Sequence, residues 1–108
     1  MFYNMATETV EKTTVKIKPR DDIKEPPKFN VIYINDEVTT KEFVIETLLI
    51  YFEYSEETAE DMTMKIHVEG SAVVATLPFE MAEQKGIEVT MLARSHGFPL
   101  VVKLEPAQ

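Results

Sequence analysis

A run of strand-forming residues, Phe29 to Ile34, stops abruptly at Asn35-Asp36, and a helical pattern begins at Thr39 or Thr40. This junction constrains the fold more than any other stretch, because it commits a strand and a helix to meet at one turn. Phe29, Val31 and Tyr33 alternate with Asn30, Ile32 and Ile34, the period of a strand. Thr39 or Thr40 can cap the helix, with Glu42 near its positive end. The turn places an amide and a carboxylate between two rigid elements. His67, the one histidine in the first two thirds of the chain, falls on the next predicted helix. An amide, an acid and an imidazole that converge can hold a cation carrying several hydrogen-bond donors.

The first helix is expected to run to about Tyr54. Phe43, Val44, Ile45, Leu48, Leu49, Ile50, Tyr51 and Phe52 give it an apolar surface wider than one stripe. It must be covered on more than one side, or leave a groove for a partner. Ser55 caps a second helix, with Glu56 and Glu57 in its first turn and Gly70 as its stop. Its buried face is marked by Ala59, Met62 or Thr63, and Ile66. Ala72 to Leu77 reads as a strand closed by Pro78. Phe79 to His96 reads as a third helix, in which Gly86 marks close packing or a weak point. Gly97 ends it, and Leu100, Val102 and Leu104 alternate as a last strand. The order β-α-α-β-α-β predicts a two-layer α+β domain, with a three-stranded antiparallel sheet packed against three helices. Residues 1–26 lack a sustained apolar period, apart from a candidate strand between Thr9 and Ile17, and end near Glu25-Pro26-Pro27. They are expected to form a flexible N-terminal extension to a core domain of residues 27–108.

Charge and composition exclude several functions. The chain has 108 residues, a net charge of −8 and no cysteine, which rules out disulfides, thiolate nucleophiles and cysteine-held zinc. The basic and acidic residues of 1–27 cancel, so the whole excess lies in 28–108, with six basic and fourteen acidic groups. Such a surface repels phosphate backbones, so no nucleic acid is expected as a partner. No segment resembles a membrane span or a signal peptide, and a soluble cytoplasmic monomer is expected. Ser55, Ser71 and Ser95 lack the context of a nucleophile, and three glycines are too few for a phosphate loop. His67 and His96 are not at metal-ligand spacing. No catalytic residue, metal or cofactor is expected, and the chain reads as a non-enzyme.

Several separated motifs carry a resemblance. Pro27, Phe29, Val31-Ile32 and Ile34-Asn35-Asp36 come first, then Thr39 and Glu42-Phe43-Val44. Lys65-Ile66-His67-Val68 with Gly70, Ala82-Glu83 with Lys85, and His96-Gly97 with Pro99-Leu100 follow in order. Together they resemble ClpS, the adaptor that delivers N-degron substrates to the ClpA-type AAA+ chaperone of the Clp protease. The resemblance runs from about Pro26 to Pro106, roughly three quarters of the chain.

The resemblance implies that Asn35, Asp36, Thr39 and His67 receive the N-terminus of a substrate protein. That group is an α-ammonium with a pKa of about 8 and three donors. The substrate's first side chain would enter an apolar pocket of Ile34, Val44, Met64 and Leu100, favouring Leu, Phe, Tyr or Trp. Glu80 and Lys85 match positions that face the chaperone N-domain, and the extension before Pro26 would engage the chaperone at handover. Two pocket positions depart from the family: Lys41 and Thr63 stand where methionines are usual. The resemblance therefore leaves an alternative, a modulator that binds the chaperone N-domain without recognising N-degrons.

Overall fold

The computed structural model describes residues 25–108. Strand β1 spans Lys28–Ile34, and helices α1, Lys41–Phe52, and α2, Glu56–Glu69, follow. Strand β2, Ser71–Pro78, helix α3, Phe79–Ser95, and strand β3, Val101–Pro106, complete the domain. The sheet is antiparallel with order β2-β1-β3, so the first strand is the central one. The α+β architecture and element order are those expected from the sequence. Of the extension expected over residues 1–26, all but Glu25 and Pro26 lies outside the described residues.

The period-two pattern of β1 settles which face meets the helices. Val31 and Tyr33 are fully buried, while Ile32 and Ile34 alternate onto the other face. β2 carries one extra residue, since Val31 pairs with Ala75 and Ile32 with Val73. Ala72 and Val74 face the core by ordinary alternation, and the bulge shifts the parity so that Ala75 and Leu77, opposite Val31 and Phe29, pack against it as well.

The wide apolar surface of α1 is covered by α2, α3 and β2. Phe43, Val44 and Leu48 are buried, and Ile45, Leu49, Tyr51 and Phe52 pack around them, while Ile50 stays exposed. The cap of α1 is Thr40, whose side chain accepts from the Phe43 N–H. The helix closes sooner than Tyr54 because Glu53 turns into the left-handed region, at φ 60°. α2 lies over β2, and α3 lies over β3. Gly86 is buried where α3 meets β3, and a Cβ built there would stand at an ordinary contact distance, 3.6 Å, from Val102 Cγ1, so the space does not demand glycine.

Candidate peptide N-terminus site

The end of β1 is tied to the end of α2. Pairing of β1 with β2 runs out at Ile34 and Ser71, and one more bond continues it, from the Asn35 N–H to the Gly70 carbonyl at 2.9 Å. Gly70 adopts φ 90° as the C-cap of α2, which lets the chain reverse directly into β2. His67 sits one turn before that reversal. The strand-helix junction and the imidazole are thus brought together although thirty residues separate them in sequence.

Within the turn, Asp36 organises its own loop. Oδ1 accepts from the Val38 N–H at 2.8 Å and the Thr39 N–H at 2.7 Å, and Oδ2 accepts from the Thr39 hydroxyl at 2.7 Å. A carboxylate has about four lone-pair sites, so one remains on Oδ2 for an outside donor. Burial acts to raise the Asp36 pKa. The Thr39 and Val38 donors and the Arg94 charge outweigh it, and hold the carboxyl below its usual range. The side chains of Asn35 and His67 have no hydrogen-bond partner among the described residues, and both are exposed.

These groups rim a pocket of about 200 Å³. Asn35, Asp36, Glu37, Thr39, Lys41 and His67 form its polar part, and Val44, Thr63 and Ile66 its apolar part. Thr63 is buried, and its hydroxyl donates back to the Ala59 carbonyl at 2.7 Å. Its donor is therefore spent within α2. No group of three or more His, Cys, Asp or Glu among the described residues is arranged to hold a metal ion.

Three residues expected in the apolar pocket do not line it. Ile34 falls on the strand face opposite Tyr33. Met64 is exposed, one residue out of step with the Thr63, Ile66 and His67 face of α2. Leu100 is 1% exposed and spent in the core; it precedes Val101, the partner of Ile34, so it lies beside the turn without being among the residues that line the pocket. Two lining residues were not anticipated. Ile66 was legible, since it lies three residues after Thr63 on one helix face, whereas nothing but adjacency to Asp36 pointed to Glu37. Glu80 lies at the opposite end of the sheet, beside Pro26, Pro27, Pro78 and Phe79. The seven residues of β1 put roughly 20 Å between the two ends. Lys85 stands between them, next to Tyr51, Phe52 and Met81.

Comparison with known proteins decides the family. The family model described as "ATP-dependent Clp protease adaptor protein ClpS" matches residues 24–103. The chain belongs to the ClpS family. A ClpS adapter protein of Sodalis glossinidius is 38% identical over 88 residues, covering 82% of this chain and 83% of that one. One from Vibrio atlanticus is 35% identical over 99 residues, covering 92% and 88%. A solved structure, Agrobacterium tumefaciens ClpS2 bound to L-phenylalaninamide, superimposes with a TM-score of 0.74 at 38% identity. It covers 77% of this chain and all of the other. The α+β fold described above is thus shared with a solved ClpS structure.

Proposed function

We propose that this ClpS-family chain is an adaptor that binds N-terminal Leu, Phe, Tyr or Trp of substrate proteins and delivers them to a Clp AAA+ chaperone-protease. The observation that carries the reading is the pocket, with acceptors on its rim and an apolar floor. Asp36 Oδ2, the Asn35 amide oxygen and one imidazole nitrogen of His67 accept from the α-ammonium and the first peptide N–H. Asp36 supplies the opposite charge. The first side chain enters between Val44, Thr63 and Ile66. A cavity of about 150 Å³ accommodates benzene, so about 200 Å³ admits one phenyl or isobutyl group. The ClpS2 relative bound to an amino-acid amide, a free amine next to an aromatic side chain, supports the same reading.

A second reading rests on Lys41, which lines the pocket and brings a positive charge to its rim. If that ammonium repels the substrate's, the protein acts on the chaperone without holding N-degrons. A titration of short peptides beginning with Leu, Phe, Tyr, Trp, Ile or Val separates the two. The adaptor binds the first four at micromolar affinity or better. A protein that binds none of them, yet still binds the chaperone N-domain, is the modulator.

Glu80 and Lys85 are assigned to the chaperone N-domain, leaving the amine site free at the other end of β1. Deleting residues 1–25 is expected to leave peptide affinity unchanged and to stop degradation of a Leu-first reporter by the chaperone-protease. Degradation at the full rate removes that segment from delivery.

A further inference from the structure

Arg94 is unused by the binding reading, although it touches the segment that leads into β3, the neighbour of the site's central strand. It lies in the last turn of α3. Its Nη1 donates to the Phe98 carbonyl and to the Leu100 carbonyl, both at 2.9 Å. These carbonyls belong to the connection from α3 to β3, which reverses through Gly97 at φ 80°. The connection delivers Leu100 into the core and Val101 into register with Ile34. Ile34 is the residue before Asn35. A continuous mechanical path therefore runs from the Arg94 guanidinium through Leu100 and the Val101–Ile34 pair to the Asn35-Asp36 turn. A guanidinium suits this task because it stays charged and its planar Nη1 carries two N–H donors, one for each carbonyl.

We propose that Arg94 is a positioning residue for the amine site: by clamping the Phe98–Leu100 connection to α3 it fixes the register of Ile34 and so the aim of the Asp36 carboxylate. The inference rests on the adaptor reading of that site. Arg94 also acts on Asp36 through space, since its charge is among the influences that hold the carboxyl in its ionised form. The other charged or titratable groups at the pocket are Glu37 on the same loop, Lys41 from α1 and His67 from α2.

Two variants separate the clamp from the charge. Arg94→Lys keeps a cation but loses the length and the planar pair of Nη1 donors that reach both carbonyls; Arg94→Gln loses the charge and keeps a donor. Affinity for a Leu-first peptide is measured at pH 7, and the Asp36 carboxyl is titrated by NMR in the peptide-free protein. Arg94→Gln is expected to weaken the peptide at least fivefold and to move the Asp36 midpoint to higher pH. Arg94→Lys is expected to leave the midpoint in place and still weaken the peptide at least twofold. A residue that served stability alone would lower the melting temperature and move neither quantity. Wild-type affinity in both variants overturns the proposal, as does an Asp36 midpoint unmoved in Arg94→Gln. Should Arg94→Gln fail to fold, the Arg94→Lys affinity decides. If the wild-type chain binds no Leu-first peptide, the adaptor reading fails; the Asp36 midpoints then judge the Arg94 influence on their own.

Discussion

Asp36→Ala is expected to weaken a Leu-first peptide at least tenfold, about 1.4 kcal/mol. Two losses combine in it. The charge opposite the α-ammonium disappears, and so do the acceptors for the Val38 N–H, the Thr39 N–H and the Thr39 hydroxyl. Asp36→Asn divides them. An amide oxygen can still accept both backbone N–H groups, so the turn survives, while the negative charge is gone. The expected result is a tenfold loss in the Asn variant with a melting temperature near that of the wild type, and a lower melting temperature only in the Ala variant. Equal affinity of Asn variant and wild type would mean that the carboxylate serves the turn alone. The sign of the pH effect follows from the lowered pKa. Asp36 contributes its stabilisation in full above its unfolded value of about 3.9, and loses it as pH falls through the lower folded value.

Thr47→Val is expected to destabilise the domain by about 1–3 kcal/mol. Thr47 and Tyr33 are both fully buried. The Thr47 hydroxyl donates to the Val44 carbonyl at 2.8 Å, so the Tyr33 hydroxyl, 2.8 Å away, must donate to Thr47. Valine keeps the shape and removes that acceptor, leaving a buried phenol unpaired. Tyr33→Phe is expected to cost less, about 0.5–1.5 kcal/mol, because Thr47 keeps its bond to Val44. A denaturation cycle over the two single variants and the double variant reads the coupling. Costs that simply add would contradict the chain of bonds. Burial also pushes the Tyr33 pKa well above the phenol range. The fold therefore favours the neutral phenol, and this contribution, intact below pH 10, is lost as pH rises above it. Peptide affinity of folded Thr47→Val should match the wild type, since neither hydroxyl reaches the pocket.

The local signals at the turn were legible in the sequence, and the long-range pairings were not. The alternation from Phe29 to Ile34, the Ser55 cap and the Gly70 stop each act within a few residues, and they give the element order. Asn35-Asp36 fits turn chemistry as well as binding chemistry, and the bonds of Asp36 show both: three acceptor sites serve the loop and one is left over. The extra residue at Val74 depends on how β2 meets β1, and no period of β2 alone reveals it. Leu100 alternates with Val102 and Leu104 as a strand should, but its burial in the core beside the turn follows from the register of β3 on β1, which pairs Val101 with Ile34. Thr63 departs from the usual methionine by a hydroxyl as well as by size, and only the folded helix shows that this hydroxyl is paired, with the Ala59 carbonyl one turn earlier.

The central claim is that the rim of Asn35, Asp36 and His67 holds a charged peptide amine. Two peptides of one Leu-first sequence test it most directly, one with a free N-terminus and one acetylated. Acetylation keeps the side chain and removes the positive charge with its donors. The free peptide is expected to bind at micromolar affinity or better, and the acetylated one to show no binding at a hundredfold higher concentration. Equal binding of the two would contradict the claim.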